Sequence, residues 1–424
     1  MSSMASVTPA AAFSRRETIA VTTARGAIAA AVCGAGFSPP VTNVALFIAL
    51  IAFLSLPSAR ERLCVVMQLP VARAALAFFA LVAIGMLWSD APWPERVHQL
   101  SNWRPLVLML IVLAVFSTAQ SKSRLATFVV AFAVLGALLS FGSWATQRPM
   151  LTDLPPGTVL RNHSTQSMVI VVALTLALVL TFWRGSGAIT ESRSRWAFGA
   201  AAVLLAANLL FVTTGRSGQL ALVIIATVLV FSLLSGRTRL WLLIVLPVAA
   251  ATVIAISPVV QSRFAMGWDE MQSFETAPGV TSMGMRVVMW RTSIEVIKDR
   301  PWTGYGSGGF AGAYEKKTAP MNQGWHAVPT ADPHNQYLFV WAELGIAGVL
   351  ALLAFIAVAA RQAAPRPWKQ VALALLLAWS ATSFLSSHFQ TFNEGHLLML
   401  LLGVFLAPQR DYASAVSTAD STSG

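Results

Sequence analysis

The sequence predicts an all-α protein that crosses a lipid bilayer many times, and three observations predict it. Hydrophobic residues make up 56% of the 424 residues and charged residues only 11%, a balance that a water-soluble core cannot use. Apolar runs of about 17 to 22 residues recur from end to end, each long enough to cross a hydrocarbon core of roughly 30 Å at 1.5 Å per residue. Lysine and arginine fall on alternate short connections between those runs, as the positive-inside rule requires.

Taken in order, the runs predict about twelve spans, at 19–37, 41–57, 71–88, 105–119, 124–145, 165–183, 195–213, 218–235, 239–257, 336–360, 368–388 and 396–407. Arg60, Arg62 and Arg73, then Lys122 and Arg124, then Arg184, Arg193 and Arg195, then Arg237 and Arg239, then Arg361, Arg366 and Lys369 mark the cytoplasmic connections, so both termini lie inside. Most acids, including Asp90, Glu95, Asp153, Asp269, Glu270, Glu275, Glu295, Asp299 and Asp332, fall on the opposite side, which is an independent agreement. Residues 1–18 are expected to form a disordered cytoplasmic N-terminus. Arg15-Arg16 superficially resemble a twin-arginine export signal, but Glu17 follows and no small-residue cleavage site closes the pattern. Residues 408–424 are small and polar and are expected to be a disordered cytoplasmic C-terminus.

The chain thus divides into spans one to nine over 19–257, an outer loop over 258–335, and spans ten to twelve over 336–407. The loop is about 78 residues long, too long for a passive link between two helices, and is where a substrate domain is expected. Within it Trp268 to Phe274 and Met285 to Lys298 have helix-like apolar spacing, while Pro301, Gly304, Gly306, Gly308 and Gly309 form a breaker-rich turn. Two or three short helices lying over the outer membrane face, a periplasmic helical cap, are the expectation.

Several chemistries are disfavoured. Cys33 and Cys64 are the only cysteines, too few for a disulfide framework or a thiolate metal site. No phosphate-cradling Walker loop, no zinc-spaced Cys/His cluster and no outward Asp-x-Asp pair occurs, so no metal or cofactor is expected. Glu343 is the main acid within an apolar run, thin material for a proton-coupled transporter. The net charge of +12 reflects cytoplasmic loops against anionic membrane lipid and does not argue for nucleic acid.

The informative residues are arginines on the side that topology does not require: Arg104, Arg161, Arg216, Arg286 and Arg291. A guanidinium presents a rigid fork of donors matched to phosphate oxygens, so several converging on one cavity can hold a diphosphate without a metal. The competing reading is that each pairs with an acid or snorkels to headgroups, and for Arg291 a helical pair with Glu295 would suffice. Arg216 lies in Thr213-Thr214-Gly215-Arg216-Ser217-Gly218, between two apolar helices, with Gln219 following as a further substrate-binding candidate. His163, in Arg161-Asn162-His163, together with His326 and His334, belongs to the outer loops; an imidazole is the natural base near neutral pH. His334, in Asp332-Pro333-His334-Asn335-Gln336, reads as that base or as a hydrogen-bonded side chain at a helix start, and Asn335 as its substrate-binding neighbour.

Residues 283–348 carry something more specific. Met283-Gly284-Met285-Arg286, Trp290, Asp299-Arg300-Pro301-Trp302-Thr303-Gly304-Tyr305-Gly306-Ser307-Gly308-Gly309-Phe310, His334-Asn335-Gln336-Tyr337-Leu338 and Glu343-Leu344-Gly345-Ile346-Ala347-Gly348 together resemble the signature of the O-antigen ligase and polymerase superfamily, in order and in loop size. The turn at Arg216 resembles that family's second arginine site. The resemblance implies a GT-C-like, metal-independent, inverting membrane glycosyltransferase of the bacterial inner membrane, acting on its periplasmic side. The implied donor is O-antigen on undecaprenyl diphosphate. A ligase uses lipid A-core as acceptor; a polymerase uses another lipid-linked glycan. Arg216 and Arg286, with Arg161, would neutralise the departing diphosphate, and His334 would take the acceptor proton. The single large loop with His-Asn near its end, a chain just over 400 residues and no further soluble domain favour the ligase. The alternatives are a polymerase, and a transporter or flippase for an anionic lipid-linked sugar, which would need the arginines but not His334.

Overall fold

The computed structural model describes residues 15–150, 154–183, 192–213, 215–233, 236–238, 241, 248, 265, 282–321 and 328–409. Among these residues the chain is helical and contains no strand. The first ten helices are α1 Arg15–Gly34, α2 Pro39–Leu54, α3 Ala59–Met67, α4 Pro70–Gly85, α5 Trp93–Asn102, α6 Pro105–Val115, α7 Ala119–Thr146, α8 His163–Phe182, α9 Ser192–Phe211 and α10 Arg216–Leu233. Then follow α11 Ser282–Asp299, α12 Phe310–Thr318, α13 Gln336–Arg361, α14 Trp368–Thr382 and α15 Phe392–Leu406. The ninth predicted span, the helix-like run at Trp268 to Phe274, and His326 lie essentially outside the described residues.

Every other predicted span coincides with a helix, because an apolar run in lipid must satisfy its own backbone. Their lengths depart from expectation. Among the described residues five stretches are long and apolar enough to cross a membrane: Trp93–Val115, Ala119–Thr146, His163–Phe182, Ser194–Phe211 and Gln336–Arg361. A sixth arises if α2 and α3, bent by 106°, count as one broken span. Pro70–Gly85, Ser217–Ser232 and Phe392–Leu406 are shorter apolar helices. Prolines set several of the starts, at Pro39, Pro70 and Pro105, since the first helical position tolerates a residue with no N–H.

Three boundaries correct the sequence reading. α1 begins at Arg15, inside the stretch expected to be disordered, because Glu17 is buried and pairs with Arg62 at 3.1 Å. α5 is an amphipathic helix that the predicted spans leave out, and it leads through Arg104 into α6 within the Trp93–Val115 stretch. α14 ends at Thr382, short of the predicted 388, which leaves residues 383–391 as a connector at the bundle's end.

The bundle has two chemically distinct ends. At one, cations meet the carbonyl ends of helices. Arg62 donates to Ala114 O (3.1 Å) and Arg25 to Val115 O (2.8 Å) at the end of α6. Fully buried Lys122 donates to Ala407 O (2.5 Å) beyond α15, and Lys369 to Ala360 O (2.5 Å) near the end of α13. Positive charge beside the C-terminal end of a helix is favourable through the macrodipole and answers orphan carbonyls. At the other end α8, α10, α13 and α15 begin. Thr165 of α8 donates to Glu394 of α15 (2.7 Å), Gly218 N of α10 donates to Ser167 Oγ of α8 (3.2 Å), and Phe389 N, ahead of α15, donates to Gln336 Oε1 of α13 (3.0 Å).

α13 is broken at Gly345, whose backbone (φ 65°, ψ −167°) is not helical. The break exposes backbone groups, and the glycine-rich turn between α11 and α12 docks on them. Tyr305 N donates to Ala342 O (2.9 Å), Gly306 N to Glu343 O (2.7 Å), and Ile346 N to Pro301 O (3.1 Å). The buried Glu343 carboxylate accepts from Gly308 N (2.8 Å), while Ser307 ties the turn to α4 through Val82 O (2.6 Å) and Gly85 O (3.1 Å). Behind the turn, Met289, Val296, Ile297, Phe310, Tyr314 and Phe339 make an apolar core that clamps α11 and α12 onto the first turns of α13.

A Cβ at position 345 would collide with the Trp302 carbonyl, and the φ,ψ region it occupies is essentially reserved for glycine. Gly345→Ala is therefore expected to destabilise the protein by about 1–3 kcal/mol, read as a lower thermal midpoint of the detergent-purified chain; an unchanged midpoint would contradict the docked arrangement.

Candidate functional site

His334 lies in the turn before α13. It is exposed and held in the left-handed region (φ 53°), unusual for a residue with a side chain. The hold is local: Asp332 Oδ1 accepts from His334 N (2.8 Å) and from the Ser387 hydroxyl (2.6 Å), so the turn is pinned to the connector between α14 and α15. Asn335 caps α13, its Oδ1 accepting from Tyr337 N (3.0 Å) and Leu338 N (3.1 Å). Gln336 N donates to Ser383 O (2.9 Å), completing the attachment.

Arg286 is half-buried on α11, which packs along α13, and Arg291 is exposed further along the same helix. Glu295, the acid set four residues after Arg291, pairs with Lys298 at 2.7 Å. Arg216 is the first residue of α10, and Gln219 is half-buried in that helix's first turn. Gly218, the third residue of α10, has a packing reason: a Cβ there would collide with Ser167, so α10 can start hard against α8 only without one.

His163 opens α8 and its Nδ1 lies 2.9 Å from Thr158 Oγ1; Asn162 caps the helix by accepting from Thr165 N (2.8 Å). Arg161 precedes them with its side chain exposed. Gln166 holds this entry in place, accepting from Val159 N (2.8 Å) and donating to Gly157 O (2.9 Å). Arg104 stands just before α6 and donates to Asn43 Oδ1 (2.7 Å) and Ser101 Oγ (2.9 Å), with the Phe392 ring 5.4 Å below its guanidinium. These partners are neutral, so they leave its charge uncompensated.

Sequence reasoning missed the residue around which several of these groups gather. His388 sits in the connector between α14 and α15, only 1% exposed, and lies within electrostatic reach of Glu394, Asp332, Arg286 and His334. Burial lowers its pKa from the ordinary histidine value; Glu394 and Asp332 oppose that shift, and Arg286 and His334 add to it. Glu394, in the first turn of α15, accepts from Thr165, so the cluster is continuous with the start of α8. Gln99 of α5 donates to Gln390 (2.9 Å) on the same connector. The signal was present as a dense polar run, Ser386-Ser387-His388 to Asn393-Glu394, but the preceding apolar stretch absorbed its first half.

The structure therefore brings His334, Asn335 and Arg286 into one neighbourhood, with the helix starts that carry Arg216, Gln219 and His163 joined to it through Ser167, Thr165 and Glu394. Arg104 adjoins it through Phe392. Positive helix ends, arginines and an exposed imidazole can together hold an anion beside a base. Asp332→Ala should loosen the His334 turn and lower turnover about two- to twelvefold, the worth of a hydrogen bond of roughly 0.5–1.5 kcal/mol, with helix content by circular dichroism unchanged. Wild-type turnover in that variant would remove the turn from the site's requirements.

Comparison with known proteins bears on the same region. Residues 200–353 match the family model described as O-antigen ligase, a segment that holds Arg216, Gln219, Arg286, Arg291, His334 and Asn335. An uncharacterized protein of Haemophilus influenzae is 22% identical over 272 residues, a match that spans 62% of this chain and 65% of the relative. The segment that carries Arg216, Arg286, Arg291 and His334 is thus the part of the chain that is similar to the O-antigen ligase family, which supports membership of the O-antigen ligase and polymerase superfamily.

Proposed function

We propose that this protein is an O-antigen ligase: a GT-C-like enzyme of about twelve spans in the bacterial inner membrane, with α11 and α12 forming part of a periplasmic cap. It transfers the O-antigen glycan from undecaprenyl diphosphate to a sugar hydroxyl of lipid A-core. The acceptor oxygen bonds to the anomeric carbon as the bond from that carbon to the diphosphate oxygen breaks, with inversion. His334 takes the acceptor proton. Arg216 and Arg286, helped by Arg161 and the helix starts around them, receive the negative charge that builds on the leaving diphosphate, without a metal or cofactor. Gln219, His163, Asn335, Arg104 and Arg291 line the approach to that centre.

One observation carries the reading. Arg286 and His334 both bear on the same buried imidazole, so a fixed positive charge and a base share one neighbourhood at the end of the bundle where four helices begin. A positioned base typically supplies about 10²–10⁴ in rate and one preorganised charge donor about 10²–10³. Both losses should be severe. Acids such as Asp332 and Glu394 in the same cluster keep the site from being a bare cationic patch and suit a sugar, whose hydroxyls both donate and accept.

His334→Ala and Arg216→Ala are each expected to abolish transfer while leaving the chain inserted and folded, and Arg216→Lys to rescue poorly because it loses the fork. The measurement is lipopolysaccharide on a gel from a strain lacking the protein and complemented with each variant. Loss of all O-antigen bands over an intact core, with long chains retained on undecaprenyl diphosphate, supports the ligase. A core carrying a single repeat would make it a polymerase, and donor accumulating on the cytoplasmic leaflet, with His334→Ala fully active, would make it a transporter.

A further inference from the structure

The scheme above leaves His388 without a role. Its neighbours in the chain are both fixed, Ser387 to Asp332 at 2.6 Å and Phe389 to Gln336 at 3.0 Å, so the ring's burial is imposed by the backbone on either side of it. Yet among the described residues neither Nδ1 nor Nε2 has a hydrogen-bond partner, in a class of group that native interiors almost always satisfy. The same short stretch holds Thr391 Oγ1 and Asn393 Nδ2, also buried and without partners among the described residues. A neutral imidazole is held here between opposing charges: Glu394 from α15 and Asp332 from the turn before α13 pull toward the charged form, while Arg286 from α11 and His334 pull away from it.

That balance is set to tip. An anion engaging Arg286 offsets the positive field of that guanidinium and adds a negative one, and the imidazole then has a reason to charge. We infer that His388 takes up one proton when the lipid diphosphate engages Arg286, so that donor and proton bind together. The proton comes from the outer aqueous phase and adds to the lone pair of a ring nitrogen, converting imidazole to imidazolium; no other bond changes. It returns to solvent when undecaprenyl diphosphate leaves. The effect is a further positive charge, present only while the diphosphate is bound, which joins the guanidinium groups. This rests on the reading that Arg286 holds the diphosphate. In linkage terms, a group whose pKa rises on binding makes affinity greatest at low pH and lowers it as pH rises, by up to about tenfold per unit for one proton.

The test is titration calorimetry of the purified full-length protein with undecaprenyl diphosphate, near neutral pH, in two buffers that differ in ionisation enthalpy. The wild type should take up a fraction of a proton approaching one. His388→Gln should bind several-fold more weakly with that uptake lost, and His334→Gln should keep it. Equal uptake in His388→Gln and wild type, or uptake lost only in His334→Gln, overturns the inference. Binding that depends on Arg286 but moves no proton overturns it alone, whereas binding indifferent to Arg286→Ala overturns the diphosphate assignment and this inference with it. Should His388→Gln fail to fold, wild-type affinity across about pH 6 to 8 decides: a flat profile discards the idea.

Discussion

Arginine beside the start of a helix is electrostatically misplaced. The first N–H groups of a helix already carry partial positive charge, and a cation there is repelled by the dipole it joins. Yet Arg104 immediately precedes α6, Arg161 stands two residues ahead of α8, and Arg216 is the first residue of α10. At the opposite end of the bundle the same residue types meet carbonyl ends, and the charges cancel within the protein, as Lys122 does at Ala407 and Arg25 at Val115. One end is thus answered by its own backbone, whereas at the other the arginines stand beside helix starts, which is what the proposed anion site uses. The functional reading follows from that asymmetry more than from any single side chain.

A second constraint keeps Arg286 and His334 in register. α11, which carries Arg286, and the turn that carries His334 come from segments far apart in the chain. They are joined because the glycine-rich turn fills the break in α13 and because aromatic and aliphatic residues of α11 and α12 pack on Phe339. The interruption of α13 loses few hydrogen bonds, since amides and a carbonyl of the turn replace those of the helix. Rigid packing of this sort holds reacting groups to the sub-ångström tolerance that positioning demands.

Much of the fold was legible in the sequence, and the failures have physical causes. Apolar runs became helices because lipid allows the backbone little else, and Arg62, Lys122 and Lys369 of the basic connections meet carbonyl ends of helices. The amphipathic α5 was invisible because its pattern is short and polar. The start of α1 was misjudged because Glu17 looks solvated until Arg62 is seen to bury it. For the site, residue type pointed to His334, Arg216 and Arg286, but Asn335 turned out to cap a helix. His388 was hidden because a histidine at the end of an apolar stretch reads as the stretch itself, and only the fold reveals that two acids and an arginine surround it. The spacing of Trp302 and Gly345 likewise says nothing about one docking into the other.

The break at Gly345 divides α13 into two bodies with different allegiances. The part before it, from Gln336 to Glu343, is bonded to the turn, to the connector and to α11 and α12, while the part after it runs on through the apolar bundle. Any exchange of this region between related proteins would accordingly have to carry the segment from α11 through the joint as a single block, because half of it has no complete structure of its own.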